Sequence, residues 1–169
     1  VKKELLLQPA VIVLIIFLAG CSHKETTNIP ANMNILTESE WSGLSGARIF
    51  FGHQSVGYNI VDGIKDLKNA AHSDSFQIIE TREASGLSQP AFAHSTIGKN
   101  QDPVSKIDDF VKIMENGMAD SVDIALLKFC YIDFNNHTQV KELFAYYQKA
   151  INALHIKFPA LKVIHCTVP

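Results

Sequence analysis

The stretch Arg48-Ile49-Phe50-Phe51-Gly52-His53-Gln54-Ser55-Val56-Gly57 decides the fold. Its first half is a short apolar run closed by Gly52, which suits a buried strand. From Ser55 the period changes: Val56, Ile60, Ile64, Leu67 and Ala71 recur every three or four residues and draw one apolar helical stripe. A strand feeding directly into a helix is the opening of a β/α unit, and the alternation continues downstream. Phe76 to Thr81 reads as a second strand and Arg82 to Gln101 as a long loop containing Gly86, Pro90 and Gly98. Asp102-Pro103 then starts a helix, with Asp as the cap and Pro in the first turn. Its apolar face is Ile107, Phe110, Val111 and Met114, and Gly117 ends it. Ile124 to Tyr131 is a strongly apolar strand. A helix follows with Val140, Leu143, Phe144, Tyr147, Ile151, Leu154 and Phe158 on one stripe, and Leu161 to Val168 is a last strand. Strands separated by helical crossovers predict an α/β fold, a three-layer α/β/α sandwich around a parallel sheet. Such sheets carry their sites at the carboxyl ends of the strands.

The chain has 169 residues, with 15 Lys and Arg against 17 Asp and Glu; 47 % of residues are hydrophobic and 19 % charged. That balance belongs to an ordinary globular domain and excludes a disordered tail, a collagen-like repeat or a coiled coil. A charge of −2 with no basic block gives no footprint for nucleic acid. Three cysteines are too few for a disulfide scaffold, and Cys130 and Cys166, each in an apolar run, read as buried thiols. No Cys-x-x-Cys or His-x-x-x-His spacing is present, so no metal site and no cofactor are expected.

Part of the apolar content is not core. Lys2 and Lys3 precede the nearly unbroken apolar run Leu5 to Leu18, which is shorter than the roughly 20 residues of a membrane-spanning helix and fits a signal peptide. Leu18-Ala19-Gly20-Cys21 resembles the bacterial lipobox, which implies lipid on Cys21 and a location in the cell envelope. The alternative is a plain secretory signal or anchor in which Cys21 is incidental. The expected organisation is a signal peptide over 1–20, a polar tether over 21–45 with Trp41 set against the domain, and an α/β domain over 46–169.

Ser55 stands at the turn from the first strand into the first helix. A hydroxyl there sits beside the first free N–H groups of a helix, where an oxyanion is stabilised. The plainer reading makes Ser55 only a helix cap. The wider pattern favours chemistry. Phe51-Gly52-His53-Gln54-Ser55-Val56-Gly57, Ala93-His94-Ser95-Thr96-Ile97-Gly98-Lys99-Asn100, Leu127 to Asp133 and Val163 to Pro169 together resemble the SGNH/GDSL hydrolase superfamily, in its divergent bacterial branch with a Gly-His-Gln-Ser first block. The resemblance covers about residues 46–169. It implies a flavodoxin-like sheet, Ser55 as nucleophile and Gly98 as a backbone donor to the oxyanion.

The chain departs from the superfamily in two places. Cys130-Tyr131-Ile132-Asp133 stands where Gly-x-Asn-Asp is usual, leaving Asn100, Asn135 and Asn136 as alternative side-chain donors. Nothing matches the C-terminal Asp-x-x-His block, so the catalytic Asp and His, with a last strand and helix, are expected beyond Pro169. Of the histidines present, His53, His94 and His137 are candidates for contact with Ser55 or substrate, whereas His165, inside a strand, reads as a core residue. Tyr146 and Tyr147 read as core as well. The expected activity is hydrolysis of O-acyl esters, on small molecules or glycans, at a membrane to which Cys21 anchors the protein. The alternative is a non-catalytic, surface-anchored module that binds glycan or protein.

Overall fold

A computed structural model describes residues 36–166. The expected signal peptide, Cys21 and residues 167–169 lie outside that range. Five strands form one parallel sheet: β1 (Ile49–His53), β2 (Ile78–Glu80), β3 (Phe92–Thr96), β4 (Ile124–Leu127) and β5 (Lys162–His165), in the order β2-β3-β1-β4-β5. The helices are α1 (Glu38–Ser45), α2 (Ser55–Ala70), α3 (Pro103–Ile113), the short α4 (Ala119–Ser121) and α5 (Val140–Lys157). The result is the expected α/β/α sandwich, consistent with a flavodoxin-like fold.

β1 is central because both its faces are apolar. Phe50 points into a core made with Phe110, Met114 and Met118 of the α3 layer and Ile151 and Leu154 of α5. Ile49 and Phe51 point the other way, into a core with Trp41 of α1 and Val61 of α2. Strands buried on both faces read as continuous apolar runs. The connections from β1 and β4 leave in opposite directions along the sheet, so their carboxyl ends flank a crevice of the kind that holds ligands in open α/β sheets.

Three expectations need correction. The stretch Arg82 to Gln101 is not a loop throughout, because Phe92–Thr96 is a strand beside β1, paired as Gly52↔Ser95 and His53↔Thr96. It is buried although its residues are Phe, Ala, His, Ser and Thr, since β1 and β2 satisfy its backbone on both edges. Residues 38–45 of the tether form a helix, started by a reciprocal Thr37–Glu40 capping box and held by Trp41, which is 5 % exposed. At its start the inward face of α2 is Gly57 and Val61 rather than Val56 and Ile60, which is 40 % exposed, while Ile64, Leu67 and Ala71 of the expected stripe pack against the core. Gly57, where a Cβ would lie 2.2 Å from the His53 ring, faces the sheet. As expected, the helix begun at Pro103 breaks at Gly117, which with Asn116 leaves helical geometry (φ 104 at Gly117) in a kink before the short α4.

Candidate active site

Ser55 is the first residue of α2 and is exposed. The residue before it, Gln54, caps the helix with its backbone only; its side-chain Nε2 donates instead to the carbonyls of Ile97 (2.7 Å) and Gly98 (2.8 Å). Gln54 thereby ties the exit of β1 to the exit of β3. The first N–H groups of α2 gain no side-chain partner, the arrangement that favours an anion at a helix start. Ser55 Oγ bonds to no other residue among those described.

Behind Ser55 lies a pair of buried imidazoles. His53 is fully buried and His94 3 % exposed. His53 Nδ1 is 2.9 Å from the Gln54 carbonyl, and His53 Nε2 is 3.1 Å from His94 Nδ1. A carbonyl only accepts, so His53 carries its proton on Nδ1, its Nε2 accepts, and His94 donates from Nδ1. Both nitrogens of His53 are therefore engaged, and it does not act as the base for Ser55. Burial lowers both imidazole pKa values below the usual range, and for His94 the neighbouring His53 lowers it further. Tyr58 packs edge-on against both rings, 4.8 Å and 6.0 Å between centroids, and its hydroxyl donates to Glu80 at 2.6 Å.

The loop after β3 is held from α3. Gly98 sits at φ 51, and a Cβ there would lie 2.5 Å from the Lys106 backbone nitrogen. Its N–H, expected as an oxyanion donor, donates instead to Asp109 Oδ2 at 2.9 Å. Arg82 holds the other oxygen of Asp109 at 2.6 Å. Burial by itself would raise the Asp109 carboxyl, but the Arg82 guanidinium and the Gly98 N–H together keep it below the ordinary carboxylate range.

One turn earlier, Lys106 and Asp133 form a fully buried ion pair at 2.5 Å. Asp133 also accepts the N–H of Cys130 (2.7 Å) and of Gln101 (2.9 Å), while Lys106 donates to Asn100 Oδ1 at 3.1 Å. Asn100 is exposed, and because its oxygen faces the ammonium, its Nδ2 is turned outward as a donor. Lys106 escaped the sequence reading; its signal was a cation on the inward stripe beside Ile107.

The other expected residues fall elsewhere. Asn135 and His137 lie on an exposed turn, where Asn135 Oδ1 accepts the His137 N–H at 2.8 Å. His165 is exposed rather than core and is bonded to the Tyr147 hydroxyl at 2.7 Å. Tyr147 is the more buried tyrosine, its pKa pushed up to about 12 by burial and by Cys166, whereas Tyr146 is 41 % exposed. Tyr147 and His165 border an apolar cavity of about 610 Å³ between α5 and the ends of β4 and β5, with Phe129, Phe134 and Phe144 in its walls. Cys130 is buried and Cys166 half-buried, and both are free thiols. Among the described residues, no group of three potential metal ligands is close enough to hold an ion, and no helix is long and apolar enough to cross a membrane. No protein-family model, curated protein or solved structure matches the chain.

Proposed function

We propose that the chain is an ester hydrolase of the SGNH type, with Ser55 as nucleophile, acting in the cell envelope on O-acyl esters, including glycan-linked ones. The observation that carries this reading is an exposed, unbonded hydroxyl at the uncapped start of α2, at the carboxyl edge of a parallel sheet. Ser55 Oγ attacks the ester carbonyl, the alcohol leaves, and water releases the acid from the acyl-enzyme. The first N–H groups of α2 and the outward amide of Asn100 are the candidate donors to the oxyanion, since the Gly98 N–H is spent on Asp109.

The reaction needs a base on Ser55, which no described imidazole supplies by a bond. Without one, general-base help typically worth about 10²–10⁴-fold is missing. The 169 residues alone should therefore hydrolyse p-nitrophenyl acetate no faster than their Ser55→Ala variant. A form carrying an Asp-x-x-His block downstream should be faster by orders of magnitude and lose that rate on Ser55→Ala. Turnover in that form that survives Ser55→Ala would sink the proposal. A second reading, a non-catalytic envelope module that binds glycan or protein, is favoured by the engagement of both His53 nitrogens, which leaves Ser55 a plain first helical residue.

A further inference from the structure

Between the start of α3 and the start of α5, at the carboxyl edge of the sheet, lies an open cleft of about 490 Å³ whose walls include Gln101, Asn135, His137, Gln139, Glu142 and Tyr146. Asp133, Thr138 and Tyr146 in its walls are bonded within the protein, but other polar side chains there are unspent. Among the described residues, the side chains of Gln101, His137, Gln139 and Glu142 bond to nothing, and Asn135 uses only its oxygen, for the His137 N–H. Amide side chains each offer donors and acceptors together, which is what neighbouring hydroxyl groups require. The exposed Tyr146 supplies a ring to the wall, its hydroxyl donating to Asp108 at 2.5 Å.

Gln101 adds a separate observation. Its φ is positive, at 66°, which among the described non-glycine residues is shared only by His72. A left-handed non-glycine residue persists only where its surroundings enforce it. Here the enforcement is the Gln101 N–H bonded to Asp133, which is itself locked by the buried ammonium of Lys106. A buried ion pair thus sets a strained residue at the lip of the cleft. The charge of the walls then selects the ligand. They carry the carboxylates of Glu142 and the paired Asp133 and no Lys or Arg, so phosphate, sulfate and uronate groups are disfavoured.

We propose that this cleft is a binding subsite for a neutral saccharide, stacked on Tyr146 and hydrogen-bonded by Gln101, Gln139 and Glu142. The subsite names the alcohol half of the ester and rests on the hydrolase reading only for what the sugar carries; the binding itself does not need Ser55.

The test is a titration of the 15N-labelled chain with cellohexaose, xylohexaose, mannohexaose and chitohexaose, with polygalacturonate as the anionic comparison. At least one neutral oligosaccharide should shift the resonances of Gln101, His137 and Glu142 at millimolar concentration. Gln101→Gly, which suits the positive φ while deleting the amide, and Tyr146→Ala should each weaken that binding by about tenfold or more. Tyr146→Phe, which keeps the ring, should weaken it less than Tyr146→Ala does. Thermal melts of each variant establish that it is folded. The proposal is overturned if no neutral oligosaccharide shifts these resonances, if folded Gln101→Gly and Tyr146→Ala bind as the parent does, or if polygalacturonate binds more tightly. Saccharide binding by this chain, with no Ser55-dependent hydrolysis in a form carrying the downstream Asp-x-x-His block, would fail the hydrolase reading alone, and the reverse result would fail this subsite alone.

Discussion

His53 and His94 show how one residue type changes its role with its surroundings. Each could serve as a base in water, yet stacked between β1, β3 and α2 they form a chain of bonds that fixes both tautomers. The lowered pKa values set a sign for stability. Above the ordinary value of 6.5 both rings are neutral in the folded and unfolded chain, and the pair costs nothing. As pH falls below 6.5 the unfolded chain takes up protons that the folded chain refuses, so stability declines and levels off only below the lowered folded values. Urea unfolding between pH 8 and pH 5, a range of about three units chosen to span the ordinary histidine value, should show that decline, and His94→Gln should flatten it. A stability that rose on acidification would contradict the buried neutral pair.

At the scale of the element, α3 acts as the clamp of the carboxyl edge. Asp102 caps it, accepting from the Ser105 N–H at 3.0 Å, and its first two turns hold the loops after β3 and β4 through Ser105, Lys106 and Asp109. The Lys106–Asp133 pair is the centre of that clamp. Removing one partner leaves the other charge buried, which typically costs about 3–5 kcal/mol. Lys106→Met should therefore destabilise the fold by that order in chemical denaturation. Adding Asp133→Asn should recover part of the loss, because the uncompensated charge goes while an oxygen remains for a backbone N–H. A double variant less stable than Lys106→Met would show that the ion pair is not what the site loses.

At the scale of the whole molecule, the two faces of the sheet are covered unequally. The side facing α3 and α5 is packed from β3 across to β5, with Ala93, Ala125 and Leu127 all buried. On the side facing α2, cover is complete over β1 and β3 but thins toward β4 and β5, where Ile124 and Leu126 are half-buried and Ile164 is 50 % exposed. β5 is also an edge strand, and an apolar edge invites pairing between chains. Ile164→Lys should leave stability within about 0.5 kcal/mol of the parent, as surface changes do. It should also raise the concentration at which the chain stays monomeric in sedimentation velocity. An unfolded Ile164→Lys chain would mean that this position is core.

The sequence by itself determined the β/α alternation, the parallel sheet and the place of Ser55, because these rest on local periodicity and on one strand-to-helix turn. Val140 to Phe158 and Asp102-Pro103 were legible for the same reason: a 3.6-residue stripe and a cap are properties of neighbouring residues. Only the tertiary structure decided what depends on distant partners. Phe92–Thr96 is a strand because β1 and β2 pair with it, and nothing in Phe-Ala-His-Ser-Thr announces a buried strand. The first inward position of α2 is Gly57 because the His53 ring leaves no room there for a Cβ. Gly98 lost its expected role because Asp109, eleven residues on, took its N–H. Lys106 and Asp133 met across 27 residues, and the strain at Gln101 exists only because they did. Periodicity records which face of an element is buried; which groups meet there is set by the packing of elements far apart in the chain.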